Sequence, residues 1–218
     1  MAILGGRLTD LEFLARRIKT GESPARAVEE IIAQSASEIL KMYLLDQDGE
    51  RATAAGSGSG ARRWTATQAW LLVKRLAKYD SLRLNEVLLS DIFKAGGREA
   101  VAALEQAELI SVSSKDGRPS AIHPGKPVFR AAFRILAGDR VIFSQLELAT
   151  LAELIKAETG TIEKCEQELL LLGKLPSRPA EVTPRIRFLL GKVMASQGKV
   201  EDYEIRSGEL KKTLKAEW

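Results

Sequence analysis

Near the start of the chain, Gly5, Gly6 and Arg7 have the types and spacing to meet a phosphate. Paired glycines let a backbone approach a ligand or another strand closely. A helix start follows, and a helix N-terminus presents free N–H groups to an anion. The Arg7 guanidinium suits a phosphate oxygen or a carboxylate. The plainer reading of Arg7 is a surface or capping arginine, and residue types alone leave both open. A second set is basic: Arg98 opens a short helical stretch, and Lys115 and Arg118 flank the turn dipeptide Asp116-Gly117. These three are candidate nucleic-acid phosphate contacts.

Several chemistries are excluded by counting. Cys165 is the only cysteine and His123 the only histidine, so an internal disulfide, a zinc site and a Ser-His-Asp triad lack parts. Catalytic residues and metal ligands are therefore predicted to be none. No G-x-x-x-x-G-K-[ST] loop occurs; the nearest Gly-Lys, Gly125-Lys126, is followed by Pro127. A complete nucleotide-hydrolysing site cannot be assembled from these residues. The net charge is +4, and its excess sits in residues 61–140, with 14 Lys/Arg against 8 Asp/Glu. The run Arg62, Arg63, Lys74, Arg75, Lys78, Arg83, Lys94 and Arg98 carries much of it.

The elements that would position these residues are mainly helical. Thr9 as N-cap and Glu12 predict a capping box, with Leu11, Leu14 and Ile18 on one face and Gly21 as stop. Ser23 and Pro24 start a second helix reaching about Tyr43, and the short turn between them predicts a helical hairpin over 1–45. Residues 46–63 form a linker, in which "GSGSG" at 56–60 has the regularity of an engineered joint. Residues 64–79, 84–93 and 98–107 read as three helices, "AGG" at 95–97 breaking the second from the third. A strand at 108–114 and the Asp116-Gly117 turn predict a β-hairpin, whose return is either 128–136 as strand or, since its alanines permit it, helix. Three short helices and a hairpin predict a winged-helix-like module over 64–140. Its third helix carries Glu99 and Glu105 with only Arg98 basic, a composition suited to protein packing better than to DNA. Residues 141–218 predict a bundle of four helices: Ser144 caps the first, Gly160 and Gly173 act as stops, and 185–196 and 203–214 close it.

The stretches "LGGRLTDLEFLARRIKTGESPARAVEEIIAQSASEI" and "WTATQAWLLVKRLAKYDSLRLNEVLLSDIFKAGG" resemble the fungal mitochondrial escape protein 2 family of inner-membrane AAA+-type ATPases. The resemblance extends through the closing helices and covers nearly everything except residues 56–60. It implies the C-terminal portion of a longer protein whose phosphate loop, RNA-recognition domain and membrane span lie outside this chain. ATP and magnesium are implied for that parent and no cofactor for these residues. In the family a Gly-Gly-Arg-x-x-Asp-Leu segment leads from the nucleotide-binding core into a helical lid. The resemblance thereby implies a nucleotide-sensing role for Gly5, Gly6 and Arg7.

The same resemblance implies an inner-membrane location facing the intermembrane space and a part in mitochondrial DNA and nucleoid maintenance. It also implies homo-oligomers formed through the parent ATPase, protein partners in the intermembrane space, and contact with the membrane only through absent segments. The reading is a non-catalytic regulatory and assembly region, against the alternative of a winged-helix module that binds DNA or RNA.

Overall fold

The computed structural model describes residues 4–5, 8–45, 63–94, 96–174 and 182–216. Gly6, Arg7, Arg62 and the 56–60 stretch lie outside them. The chain is mainly α-helical with one small antiparallel sheet, and it divides into two compact units, Met1–Phe143 and Ser144–Trp218.

In the first unit, α1 spans Leu8–Lys19 and α2 spans Pro24–Ile39, continuing as a π turn over Leu40–Leu44. Helix α1 already runs at Leu8, so Thr9 lies inside it and is not its N-cap. The α2 start is as read: Ser23 Oγ accepts from Arg26 N, and Pro24 occupies the first turn, where its missing N–H costs nothing. Gly21 takes a φ of +91° between the two helices, the left-handed position that ends a helix cheaply in glycine. Helix α3, Ala66–Lys78, starts on a complete capping box: Thr65 accepts from Gln68 N, and the Gln68 side chain reaches back to Thr65 N at 3.0 Å.

Strand β1 (Leu82–Arg83) leads into α4 (Leu84–Leu88), a 3-10 turn at Asp91–Phe93, and α5 (Gly97–Gln106). Strands β2 (Ile110–Lys115) and β3 (Arg118–Pro124) complete a sheet of order β1-β3-β2, antiparallel throughout. The hairpin therefore returns at 118–124. Asp116 and Gly117 both take positive φ, 53° and 73°, which a tight two-residue turn requires, so the return strand must start at once. Residues 128–136 belong to helix α6, Pro127–Gly138. Its apolar Val128, Phe129, Ala132, Phe133 and Leu136 recur at helical period, and all are buried.

Helix α6 packs against both α2 and α3, joining the N-terminal hairpin to the module that carries the sheet. Trp70, Leu72, Leu76, Phe93, Leu104, Ile122 and Phe133 form the interior of this unit. Edge-on contact of Trp70 with Phe143, 5.7 Å between ring centres, closes it.

The second unit lies within two long helices, α7 (Arg140–Gly173) and α8 (Val182–Ala216), and not in the four short ones the glycines suggested. Asp139 caps α7, its Oδ1 accepting from Val141 N and Ile142 N at 2.9 Å each, and Ser144 is buried inside the helix. On α7 the inward positions are Ser144, Leu148, Leu151, Ile155, Glu158, Ile162, Cys165, Leu169 and Leu172. On α8 they are Val182, Ile186, Leu189, Val193, Ser196, Val200, Tyr203, Ser207, Leu210 and Leu214. Both series alternate steps of three and four, the heptad spacing of a coiled coil. Arg185 pairs with Glu168, Lys199 with Glu158 and Arg206 with Glu147, so the two helices run antiparallel. Gly160, Gly191 and Gly198 fall on the outer side, away from this seam. The helices pass through them because seam packing outweighs a penalty of about 1 kcal/mol per glycine.

Candidate functional site

At the N-terminal junction, Leu4 is buried and Gly5 adopts a φ of +61°. Above Gly5 lies the ring of Pro127, the first residue of α6, in the space where a Cβ would stand. The close approach that the glycine pair permits is thus made, at Gly5, to the protein's own α6. Of the three residues read as nucleotide-sensing, this one is placed; Gly6 and Arg7 lie outside the described residues. The Gly5 backbone faces a proline ring, and no cluster of three or more His, Cys, Asp or Glu stands together among the described residues.

The basic set is split between two elements. Arg98 is exposed in the first turn of α5. Gly96 enters this helix with a φ of +67°, and Gly97 packs on Phe93, whose Cβ lies 3.0 Å from where a glycine side chain would begin. Lys115 and Arg118 are partners in the β2–β3 register, side by side at the turn. No hydrogen bond or ion pair links Arg98 to either among the described residues. The outer face of α5 also exposes Glu99, Glu105 and Gln106, and Glu105 Oε1 accepts from Val112 N at 2.9 Å, fastening the helix to β2.

Several of the basic side chains of residues 61–140 are paired with acids of the same stretch. Arg83 pairs with Glu86, Lys94 with Asp91, Lys126 with Glu108 and Arg130 with Asp80. Arg98, Lys115 and Arg118 make no such pair among the described residues.

Sequence reasoning missed three features. Between α4 and α5 lies an open cleft of about 600 Å³, bordered by Leu88, Leu89, Phe93, Arg98 and Glu99. Leu89 within "VLLS" was its only sequence signal. His123, the only histidine, lies in β3 and meets Ser113 Oγ at 3.1 Å through Nε2. No carboxylate among the described residues hydrogen-bonds its other ring nitrogen, so the pair lacks the orienting group that a nucleophile–base arrangement needs. Tyr43 stacks on Trp64 and donates its hydroxyl to Ala107 O, joining the N-terminal hairpin to the end of α5. Burial pushes the Tyr43 phenol above its ordinary range, and the charges of Glu108 and Glu38 push the same way. It is held as a neutral donor.

A family model described as RNA12 protein matches residues 1–175. Proteins named Mitochondrial escape protein 2 match nearly the whole chain. That of Phaeosphaeria nodorum is 56% identical over 99% of this chain and 25% of its own length. That of Chaetomium globosum is 49% identical over 98% and 26%, and that of Aspergillus niger 48% identical over 99% and 25%. This chain spans about a quarter of the length of these curated relatives. No solved structure matches. The match to the family model runs from the residues before α1 to the end of α7, and on it the chain belongs to the RNA12 protein family.

Proposed function

We propose that this chain is a non-catalytic regulatory and assembly region of a mitochondrial inner-membrane AAA+-type ATPase. In this reading it faces the intermembrane space and serves mitochondrial DNA and nucleoid maintenance. The names of its relatives support the mitochondrial setting, and the Gly-Gly-Arg-x-x-Asp-Leu resemblance supports the link to an ATPase core. The observation that carries the reading is the double docking of α6. The helix touches α2 on one side and α3 on the other, with Gly5 pressed beneath Pro127 at its first turn. A displacement of the chain entering α1 is passed through α6 into the sheet-bearing module. The helix–strand–helix–helix–hairpin order with sheet order β1-β3-β2 supports a winged-helix assignment, used here for packing. In the full-length parent, Gly5→Val drives a side chain into Pro127. ATP turnover or assembly should fall at least about tenfold, the effect of misplacing a coupled element, while the 218-residue chain bearing the same change stays helical. Unchanged turnover and assembly in the parent would contradict the reading.

One observation favours the second reading, nucleic-acid binding: Lys115 and Arg118 stand adjacent at the hairpin turn, and neither makes an ion pair among the described residues. Titration of duplex DNA and RNA at several salt concentrations separates the two. Binding whose salt slope drops by about two on Lys115→Glu with Arg118→Glu would establish the second. Absence of binding at low salt removes it.

A further inference from the structure

Arg185, Lys199 and Arg206 share one heptad position on α8. Their ion pairs with Glu168, Glu158 and Glu147 therefore lie on one flank of the α7–α8 seam. Phe188 stands on that flank too, and the Arg185 guanidinium lies over its ring, 5.3 Å from the centre.

The opposite flank has a different character. Three large apolar side chains stand open on it near the turn: Leu170, 67% exposed, Met194, 72%, and Leu190. The interior beneath them is thin. Cys165, Leu189 and Val193 are buried, with Ile162, Leu169 and Leu172 only partly covered against them. A four-helix bundle encloses what such a two-helix hairpin leaves open.

The charges of this flank say what encloses it. Counted away from the turn, its two heptad positions on α7 carry acid at Glu166 and Glu163, then base at Lys156, then no charge. On α8 they carry base at Arg187, then acid at Glu201 and Glu204, with Lys211 and Lys215 last. All of these side chains are exposed, and none makes an ion pair among the described residues. The Arg185–Glu168 and Lys199–Glu158 pairs fix the levels. Glu166 and Glu163 lie level with Arg187 and Met194, and Lys156 lies close to the level of Glu201. A two-fold axis parallel to the helices brings α7 of one copy to α8 of another at the same level. Acid then meets base at both levels, and Leu170, Leu190 and Met194 close on those of the second copy. A flank whose halves carry opposite charges, reversing together along its length, is complementary to itself.

We infer that this flank is a self-association surface, through which two copies of the chain pack as a four-helix bundle. Glu163 and Glu166 of each copy face Arg187 of the other, and Lys156 faces Glu201. The contact uses no residue of the N-terminal junction and stands apart from the ATPase reading.

The test is analytical ultracentrifugation of the 218-residue chain between about 1 and 100 μM, a range suited to interfaces of modest area. A monomer–dimer equilibrium is expected. Leu190→Ser with Met194→Ser should weaken it at least about tenfold. Arg187→Glu should weaken it as much, and so should Glu163→Lys with Glu166→Lys. Mixing these two charge variants should restore association, since every α7–α8 contact between the copies then joins acid to base. A misfolded chain cannot give that result. All these side chains lie outside the seam, so helical circular dichroism should hold in each variant. A monomer at every concentration, a dimer indifferent to the apolar pair or to the charge changes, or charge variants that stay apart when mixed would overturn the inference.

Discussion

Arg206, on α8, reaches a carboxylate that the fold has almost closed over: its Nη2 lies 3.0 Å from Glu147 Oε2, and Glu147 is 2% exposed. Glu147 holds other interactions as well, but Arg206 is the arginine that answers its charge across the helix pair. Arg206→Ala should destabilise the second unit by about 1–2 kcal/mol, below the range for a fully buried pair because Arg206 is itself half in water. Glu147→Gln, alone and in the Arg206→Ala background, completes a double-mutant cycle in which the two changes should couple. Denaturant unfolding of the three variants reads both effects.

Acid should loosen the same coiled coil nearer its turn. Arg185 donates to both Glu168 oxygens, at 2.6 and 2.9 Å. This hydrogen bonding, aided by the charges of Arg185 and Lys192, holds the Glu168 carboxyl below its ordinary value. A carboxyl depressed in the folded state adds stability that is present above its unfolded pKa and lost as pH falls through the folded one. Stability should therefore fall as pH drops below the ordinary glutamate range, and Glu168→Gln should flatten that slope. Thermal unfolding across acidic pH checks it. An equal slope in the variant would remove Glu168 from the account.

Gly5 should tolerate no side chain. Its φ of +61° already disfavours L residues, and the Pro127 ring fills the Cβ position. Gly5→Ala should cost about 1–3 kcal/mol, measurable by denaturant unfolding of the first unit. A neutral substitution would show that α6 does not depend on this contact.

Gly198 should behave in the opposite way. It is exposed mid-helix on α8, with nothing near its Cβ position. Gly198→Ala should stabilise by about 0.5–1 kcal/mol. The same change at Gly160, inside α7, tests whether that glycine is a helix stop, in which case no gain would follow.

These glycines show where the sequence was legible and where it was not. Gly21 and Gly96 punctuate helices as expected because each sits at a positive φ next to a cap. Gly160 does not, because the heptad series from Ser144 to Leu172 continues across it, and a glycine on the outer side costs less than the seam returns. Local chemistry at Ser23-Pro24 and Asp116-Gly117 was readable for the same reason in reverse: cap and turn are decided by adjacent residues. The return strand 118–124 was obscured because "RPSAIHP" carries two prolines and little apolar alternation, and it is held by pairing with β2 on one side and β1 on the other. The candidate residues fared similarly. Arg98, Lys115 and Arg118 could be named from the sequence, but their division between two elements could not. The partnership of Gly5 with Pro127, 122 positions apart in the chain, has no local signal at all.

The central claim is that these residues bind and pack without performing chemistry, and ATP hydrolysis by the purified 218-residue chain tests it most directly. With magnesium and ATP present, phosphate release should match the protein-free blank. Turnover on the order of 1 per second or faster, within the usual range for enzymes and surviving repurification, would contradict it.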